Sequence, residues 1–336
     1  MANCNNLFDT FIRAITPTTD QMQKMRASRE ALEKKINDEI QEKLGMTVSF
    51  YTQGSAAKDM KTIIIKADGT YDVDRGVYLP EKPNVSAKTV QEYVYNAVDD
   101  HTNDGAQHRR KCIRVLYQCA YNIDFPVYYV AAGESYAWLA LKDGGWIKDD
   151  PSKMIEWLGD FKDADGQLLS IIKEVKAWAS SLSFKAPSGI ALAVWVARNF
   201  TAVVDRDDLC LLQILGKMKS ALIFTVTCHS PVEPFDDLVA KLSDDQKEKF
   251  RTALNKFYDD AELAVAEKNQ LKASKIWQKH FGSRFPDGID EDVDAKAALL
   301  LASSAIVLDR NAKLNRQGRI NQETGVSHLG HRNYGG

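Results

Sequence analysis

Apolar residues recur at three- and four-residue steps from about Thr19 to Leu44, and Gly45 follows them. This spacing predicts one amphipathic helix that ends at the glycine. At a rise of about 1.5 Å per residue the helix would be about 39 Å long, which is long enough to run along two lobes as a spine. The apolar positions are Met22, Met25, Leu32, Ile36, Ile40 and Leu44.

The residues that follow have the alternation and composition of strands. The segment "MTVSFYTQGS" predicts a half-buried strand that ends before Gly54, and "KTIIIKADGTYDVDRGVYLP" predicts two strands joined by a turn at Asp68 and Gly69. A helical pattern near 86–98 separates them from "IRVLYQCAYNIDFPVYYVA", a strand region with a single acidic residue, Asp124. The first half is therefore expected to be mixed α/β.

The second half of the chain has helical spacing almost throughout. Ser188 is expected to begin one helix, and Ser243 with Gln246 fits a capping box. We predict an α/β unit with an N-terminal helix over residues 1–150, an all-α lobe over 151–310 with a cleft between the two, and a flexible tail over 311–336, which has few apolar residues and ends in Gly-Gly.

Composition narrows the class of protein. The chain has 336 residues, of which 44% are hydrophobic and 27% charged, as in a globular protein large enough for two lobes. A net charge of −2 gives no reason to expect a membrane or an obligate nucleic-acid partner. The five cysteines have no paired spacing, and no window approaches the roughly 20 apolar residues of a membrane span. A cytoplasmic protein is expected.

Two aspartates stand one residue apart in the predicted strand "TYDVDRGVYLP". Asp72 and Asp74 would point to the same face of that strand. Carboxylates about 4 Å apart repel by roughly 1 kcal/mol in water and about 4 kcal/mol at an effective dielectric of about 20, and a divalent cation reverses this cost. Mg²⁺ commonly lies between carboxylates and substrate phosphates. Asp124 would add a third oxygen donor if its strand is adjacent; the alternative is a solvent-facing pair on an edge strand.

The turn before this strand adds to the pattern. Gly54 and Ser55 follow a predicted strand, so their backbone N–H groups and the hydroxyl are suited to phosphate oxygens. An ordinary turn is the alternative when this pair is considered alone. The order Gly-Ser, then D-x-D, then a third aspartate on a later strand is much more specific than any one part.

With these motifs the sequence resembles nucleotidyltransferases of the polymerase-β type, and among them the bacterial cGAS/DncV-like nucleotidyltransferases of CBASS antiphage defence. Within that family its motifs are most similar to those of the cholera-type cyclic GMP-AMP synthases. The resemblance implies a polymerase-β-like core with a long N-terminal spine helix and a helical lobe, with the active site between them. It is carried, in order, by the segments "YTQGS", "DVDRGVYLP", "NIDFPVYYV", "GWIKDDPSKMIEWLGD", "VKAWASSLSFKAPSGIAL" and "WQKHFGSRFP".

The resemblance also implies roles for the acidic residues and for the turn. Asp72 and Asp74 would bind two Mg²⁺ ions, with Mn²⁺ as a substitute, and Asp124 would complete the catalytic metal site and help to deprotonate the acceptor hydroxyl. The segment 53–55, which comprises Gln53, Gly54 and Ser55, would hold the donor triphosphate.

Three further residues are assigned to nucleotide binding by the same resemblance. Lys176 and Ser188 would contact the triphosphate, and Arg114 would reach phosphate or base. A solvated helix face is the alternative for Lys176, and a plain N-cap is the alternative for Ser188.

A second group of positions bears on base recognition. The segment "CHSPVEPFDDL" at 228–238 resembles a lid near the nucleobases, so Glu233 or Asp236 is a candidate to contact a base edge, and a structural loop is the alternative. Arg75 stands where related synthases have an acidic residue.

The function implied is template-independent synthesis of a cyclic di- or trinucleotide second messenger from nucleoside triphosphates, with ATP and either GTP or another second base as substrates. In type II CBASS the C-terminus of the synthase is attached to targets by a ubiquitin-like conjugating enzyme, so "NYGG" implies conjugation through Gly336. A linear oligonucleotide synthase or a protein-modifying nucleotidyltransferase is the alternative. A non-catalytic adaptor is the third reading, and the complete set of three aspartates argues against it.

Overall fold

The computed structural model describes residues 2–118, 120–131, 133–134, 136–161, 163, 165–308, 313–314, 320–322 and 326–327. The helices are α1 (Asn5–Ile15), α2 (Thr19–Leu44), α3 (Ala87–Val98), α4 (Pro151–Gly159), α5 (Gln167–Ser180), α6 (Gly189–Asn199), α7 (Asp207–Ala221), α8 (Asp244–Ala266), α9 (Gln270–Phe281) and α10 (Val293–Leu308). The strands are β1 (Ser49–Gln53), β2 (Tyr71–Leu79), β3 (Ala106–His108), β4 (Ile113–Tyr117), β5 (Tyr121–Phe125), β6 (Val127–Tyr129), β7 (Ala137–Ala140), β8 (Trp146–Asp149), β9 (Lys313–Leu314), β10 (Ile320–Asn321) and β11 (Val326–Ser327).

The long helix α2 confirms the prediction from apolar spacing, including both of its ends. Thr18 and Gln21 form a capping box at its start. Gly45 adopts the left-handed conformation, with φ of 67°, and its N–H donates to the carbonyl of Gln41. The bounds are set by these local contacts, which explains why the pattern alone located them.

The main sheet places β2 next to three partners. Its strand order is β3-β4-β5-β2-β6-β7-β8, and β1 pairs with β2 in addition. Residues 71–74 of β2 pair in parallel with β5, residues 77–79 pair in parallel with β6, and β1 runs antiparallel to β2. The strand that carries the D-x-D is therefore internal to the sheet, and the edge-strand alternative is wrong.

Two hydrophobic cores lie on either side of a cleft. One consists of the sheet with α2 and α3, and the other is formed by the helices of the second half. Helix α1, which the sequence pattern did not indicate, packs in the second core. Phe8 lies 5.1 Å from both Trp277 and Phe285 between ring centroids, and Phe11 lies 4.6 Å from Phe281. The domain division at residue 150 stays a prediction.

One predicted strand is absent from the described part of the chain. The turn at Asp68 and Gly69 is present, but residues 61–66 before it do not form a strand. The N–H of Ile65 donates to the carbonyl of Ile15 at 2.6 Å, and Arg284 donates to the carbonyl of Ile65. The backbone of Ile65 thus bonds to the helical lobe, and the N–H groups of Thr62 and Lys66 donate to the nearby carbonyls of Ser55 and Thr70 instead of to a neighbouring strand.

The C-terminal segment is described only in part. Strand β9 pairs antiparallel with β10 and with β11, each over two residues. The remainder of the predicted tail, including Gly336, lies outside the described residues.

A mostly buried ion pair links α2 to β2, the strand that carries the D-x-D. Arg75 donates from Nε to Glu33 at 2.7 Å and from Nη1 to the hydroxyl of Thr52 at 3.0 Å, and the side chains of Arg75 and Glu33 are 15% and 16% exposed. Arg75 therefore points to the spine helix, so the structure gives it a positioning role for β2.

Glu33→Ala tests this ion pair. The change leaves the buried guanidinium of Arg75 without its carboxylate, so we expect the free energy of unfolding to fall by about 2–3 kcal/mol in a urea titration. Lys34→Ala, at an exposed position of the same helix, is the control and should change it by less than about 0.5 kcal/mol. Equal effects of the two changes would contradict the role of the pair.

Candidate active site

The three aspartates come together because of the register of parallel strands. Asp74 on β2 is paired with Asp124 on β5, and Asp72 is paired with Asn122. Residues in register on neighbouring strands point to the same face of a sheet. The adjacency that the sequence analysis required for Asp124 is therefore present, and all three carboxylates line one cleft.

Arg114 lies between two of these carboxylates. Its position on β4 is opposite Asp124 on β5, and it donates from Nε and Nη2 to the two oxygens of Asp124 at 2.7 and 2.5 Å. Its Nη1 lies 3.4 Å from Oδ1 of Asp72. Asp72 also forms an ion pair with Lys66 and accepts a hydrogen bond from Asn122 at 2.9 Å. In this state the guanidinium contacts carboxylates, and its predicted contact with phosphate or base stays a prediction.

The two aspartates of the D-x-D differ in their protonation. Burial, followed by the charges of Asp124 and Asp72, raises the pKa of Asp74 to about 7. Burial also acts to raise the pKa of Asp72, but the charge of Arg114 and the hydrogen bonds from Lys66 and Asn122 outweigh it, and the pKa of Asp72 is lowered. Asp74 is therefore the carboxylate at which negative charge is least compensated.

The carboxylates of the three aspartates are the type of ligand that a hard divalent cation prefers, although their oxygens do not surround a common point. Among the described residues no group of three His, Cys, Asp or Glu side chains is close enough to hold a metal ion. Arg114 and Lys66 occupy the oxygens of Asp124 and Asp72 instead. Three carboxylates with uncompensated charge at Asp74 fit Mg²⁺ or Mn²⁺, which prefer oxygen ligands.

Gly54 brings the backbone next to the carboxylate of Asp74. Residues Gly54–Ala56 form one turn of 3₁₀ helix directly after β1. Gly54 has φ of 57°, and a Cβ at this position would lie 2.5 Å from Oδ2 of Asp74. Only glycine fits here, and the turn that it begins lines the same cleft as the aspartates.

The side chain of Gln53, directly before this turn, is held by hydrogen bonds with two tyrosines. It donates to the hydroxyl of Tyr78 at 2.6 Å and accepts from the hydroxyl of Tyr128 at 3.3 Å. A Cβ on Gly76 would lie 2.2 Å from Nε2 of Gln53, so Gly76 provides the space for this contact. The structure thus gives the side chain of Gln53 protein partners, and its predicted role in binding triphosphate stays a prediction.

Lys176 and the start of α6 converge on the cleft from the helical lobe. The Nζ of Lys176 donates to the carbonyl of Thr62 at 2.5 Å, and a Cβ on Gly189 would lie 3.1 Å from its Cε. Burial is the main cause that lowers the pKa of Lys176 to about 8. Ser188 caps α6, and its hydroxyl accepts from the N–H of Ala191 at 3.4 Å. The predicted triphosphate contact of each residue remains untested.

The cleft between the lobes has a volume of about 490 Å³. Residues of both lobes line it, and they include Gly54, Ser55, Thr62, Lys66, Asp72, Asp74, Arg114, Asp124, Lys176, Ser180, Pro187 and Gly189. Lys66 was not predicted as a site residue. Its position two residues before the Asp68-Gly69 turn was the available signal, because such a turn brings Lys66 back beside Asp72.

Comparisons with known proteins agree with this geometry. Residues 48–128 match the family described as "Cyclic GMP-AMP synthase DncV-like, nucleotidyltransferase domain". A cyclic GMP-AMP synthase from Escherichia albertii is 26% identical over 246 residues, which are 66% of this chain and 55% of the relative. The chain thus spans about half the length of the curated relative that it matches.

Solved structures of DncV share the fold. The apo form of Vibrio cholerae DncV matches with a TM-score of 0.73 and 17% identity over 85% of this chain and 96% of that one. DncV of Escherichia coli with 3′-deoxy GTP gives a TM-score of 0.73 and 17% identity over 85% and 98%. At such identities the structures establish the fold.

The chain has the fold of the DncV structures, with an α/β core, a long N-terminal helix and a helical lobe as predicted, and its residues 48–128 match a nucleotidyltransferase domain. The match of residues 48–128 and the likeness to a cyclic GMP-AMP synthase agree with the resemblance to cGAS/DncV-like nucleotidyltransferases found in the sequence. None of the helices in the described part of the chain is both long and apolar enough to cross a membrane.

The raised pKa of Asp74 predicts how Asp74→Asn changes stability in EDTA. Between about pH 4 and pH 7 this carboxyl is protonated in the folded state and ionised in the unfolded chain, so its contribution to stability falls as pH rises. Asparagine does not titrate. The free energy of unfolding of the variant, measured by urea titration, should therefore exceed that of the parent by about 2–4 kcal/mol at pH 8 and match it near pH 4.

Asp72→Asn is the matched control and should have the opposite sign. The pKa of Asp72 is lowered, so its stabilisation is present above about pH 4 and is lost as pH falls. This variant should be less stable than the parent at pH 8, because Lys66 and Arg114 lose a carboxylate. Parallel pH profiles of parent and Asp74→Asn would contradict the raised pKa.

Proposed function

We propose that this chain joins nucleoside triphosphates, without a template, into a cyclic di- or trinucleotide by two-metal nucleotidyl transfer. The observation that carries the proposal is the pairing of Asp74 with Asp124 beside the backbone of Gly54. Adjacent carboxylates and a glycine turn in one open cleft are the parts needed to hold a metal-bound triphosphate.

The acidic residues would hold the metal ions. Asp72 and Asp74 would bind two Mg²⁺, or Mn²⁺ in their place, and Asp124 would be the third oxygen donor. When bound, the ions supply Lewis-acid chemistry that lowers the pKa of the attacking ribose hydroxyl and neutralises the leaving pyrophosphate. Arg114 has to release at least one carboxylate oxygen for this donor set to close, because it holds both oxygens of Asp124.

The other cleft residues would orient the triphosphate. Gly54 and Ser55 line the same cleft as the carboxylates, and the N–H groups of this turn and the Ser55 hydroxyl would donate to phosphate oxygens. Lys176 and Lys66 add positive charge there, and with a pKa of about 8 the ammonium of Lys176 is mostly charged at pH 7. Ser188 lies between Pro187 and Gly189, which line the cleft, and its hydroxyl would be the further triphosphate contact.

The substrates and the biological role are proposed from relatives. Structures of Vibrio cholerae DncV contain ATP and GTP, or the linear intermediate 5′ pppA(3′,5′)pG. We infer ATP and either GTP or another second base as substrates here. A role in CBASS antiphage signalling is supported by the likeness of the sequence blocks to that family and by the match to a cyclic GMP-AMP synthase.

Product analysis tests the activity. The full chain with Mg²⁺ and labelled nucleoside triphosphates, singly and together, should yield a product that phosphatase does not shorten, because a cyclic product has no terminal phosphate. A phosphatase-sensitive product would favour the linear synthase, and label on a protein would favour a protein-modifying enzyme. An adaptor would give no product and would bind no Mg²⁺-nucleotide.

Two glycine variants tie that activity to the proposed site. Gly54→Ala places a Cβ against Asp74 and should lower product formation at least about 100-fold, since a shift of about 1 Å in an active site can have that effect. Gly144→Ala is the matched control, because Gly144 also has a positive φ, 94°, but has no atom near its Cβ position. Equal activities of the two variants would contradict the assignment.

We also propose that Gly336 is conjugated to targets by a ubiquitin-like conjugating enzyme of type II CBASS. The proposal is supported by the Gly-Gly end of the sequence, which lies outside the described residues. A terminal glycine carries no Cβ to obstruct transfer through a narrow active site.

Coexpression with such a conjugating enzyme tests this second proposal. Higher-mass forms of the chain should accumulate on a denaturing gel, and deletion of Gly336 should abolish them while Gly133→Ala, in a distant loop, should not. Conjugates that persist after the deletion would overturn the proposal and leave the proposed synthase activity unaffected.

A further inference from the structure

The segment that leads into β2 is attached to the helical lobe by its backbone. It comprises residues 62–68, and we refer to it as the bridging segment. The N–H of Ile65 donates to the carbonyl of Ile15 at 2.6 Å, and the N–H of Ala67 donates to the hydroxyl of Ser180 at 3.2 Å. Ile15 ends α1 and Ser180 ends α5, so two helices of that lobe hold a segment that lies just before the D-x-D strand.

Arg284 adds two further contacts from the same lobe. Its Nη1 donates to the carbonyl of Ile65 at 2.6 Å and to the carbonyl of Lys66 at 3.1 Å. Hydrogen bonds in which the donor is charged are about twice as strong as neutral ones. A single guanidinium thus holds two consecutive carbonyls of the bridging segment, although it stands 218 residues after Lys66 in the sequence.

The turn that carries Arg284 is fixed in the core of the helical lobe. Gly282–Arg284 form one turn of 3₁₀ helix directly after α9. The ring of Phe285, which is fully buried, lies 5.1 Å from that of Phe8 between centroids, and its carbonyl accepts a hydrogen bond from Gln278 at 2.8 Å. This turn belongs to the segment "WQKHFGSRFP", which the resemblance includes without a role for its arginine. Arg284 is therefore presented from a well-packed position.

The bridging segment brings Lys66 to the carboxylate of Asp72. The Nζ of Lys66 forms an ion pair with Asp72, and the two side chains are 33% and 26% exposed. The N–H of Lys66 donates to the carbonyl of Thr70 at 2.7 Å, which ties the segment to the start of β2. The backbone of Lys66 is therefore held on both sides, by Thr70 at its N–H and by Arg284 at its carbonyl.

We propose that Arg284 is a positioning residue of the candidate active site and holds the backbone of Lys66 so that the ammonium lies beside Asp72. The inference rests on the proposed function, in which Lys66 adds positive charge for the triphosphate. Lysine carries its charge on a flexible four-carbon stem, so the place of the ammonium depends on where the backbone is held. Arg284 is absent from the described residues that line the cleft, and it therefore acts through the bridging segment.

The bridging segment also ties two cleft cations to one lobe. Lys176 holds its beginning, because the Nζ of Lys176 donates to the carbonyl of Thr62 at 2.5 Å. Arg284 holds the carbonyls of Ile65 and Lys66. The ammonium groups of Lys66 and Lys176, which both line the cleft, are therefore attached to the helical lobe, even though Lys66 precedes β2 in the chain. Removal of the Arg284 guanidinium would release Lys66 and leave Lys176 in place.

Amine labelling of the full chain in EDTA measures the position of Lys66 without any reaction of nucleotides. Arg284→Met removes the guanidinium and keeps an apolar stem, so the variant is expected to fold. Release of Lys66 would bring its exposure from 33% towards the 82% of Lys34, so its acetylation by acetic anhydride should rise about twofold relative to Lys34. Mass spectrometry of the peptides gives this ratio.

Two further arginine variants separate position from stability. Arg251→Met is the matched control, because Arg251 lies in the same lobe and also donates to a backbone carbonyl, that of Ile223 at 2.9 Å. It should leave the labelling of Lys66 unchanged. Arg284→Lys retains a charged donor on a flexible stem and should give labelling between that of the parent and that of Arg284→Met. This variant also keeps the test decisive if Arg284→Met does not fold.

Kinetics test whether Arg284 acts through Lys66. With Mg²⁺ and nucleoside triphosphates, Lys66→Met should raise KM about tenfold with little change of kcat, as expected for the loss of one charge-assisted contact with the substrate. Arg284→Met should change KM in the same direction. The double variant should be no worse than Lys66→Met alone, because the effects of residues that act through one another are not additive.

The outcomes distinguish this inference from the proposed function. Unchanged labelling of Lys66 in folded Arg284→Met, or two KM effects that multiply in the double variant, would overturn the role of Arg284 while the synthase activity stands. Absence of product from the parent chain would overturn the proposed function, and the labelling in EDTA would still decide whether Arg284 positions Lys66.

Discussion

The parallel pairing of β2 with β5 is the constraint on which the site depends. It places Asp74 opposite Asp124 on one face of an internal strand, where burial and, after it, the charge of Asp124 raise the pKa of Asp74 to about 7. The fold tolerates this because the antiparallel neighbour β4 brings Arg114 opposite Asp124. A guanidinium therefore offsets part of the charge of these carboxylates.

The same strand links the main cleft between the lobes to a second cavity, of about 310 Å³, through a chain of polar contacts. The side chain of Gln53 holds the end of β1 against Tyr78 and Tyr128, and Tyr128 in turn donates to Asp149, which lines the second cavity. Gly76 makes this possible by leaving space beside Gln53. Asp149 is thus linked through Tyr128 and Gln53 to the residue that precedes the Gly54 turn.

Sequence reasoning located features that depend on local chemistry. The ends of α2 follow from Thr18 and Gly45. The shared face of the two D-x-D aspartates follows from their spacing on a strand. Predictions from the sequence were wrong or incomplete where hydrogen-bond partners are far apart in the chain. Residues 61–66 were expected to form a strand because they are rich in isoleucine. Instead, the backbone of Ile65 forms hydrogen bonds with Ile15 of α1 and with Arg284. The contacts of Arg114 with Asp124 and Asp72 required the strand register, which no local pattern encodes.

The two cavities beside Asp74 differ in the charged side chains that line them. Lys66, Lys176 and Arg114 bring three cations to the carboxylates of the main cleft, whereas Lys111 is the one cation among the described residues that line the second cavity. A nucleotide is itself polar in this sense, with an anionic triphosphate at one end and a neutral hydrogen-bonding base at the other. The triphosphate is therefore better placed beside the three cations of the main cleft than in the second cavity, where one cation offsets five carboxylates. Asp74, the more buried aspartate of the D-x-D, lines both cavities, so its carboxylate lies where these two differently charged surfaces meet.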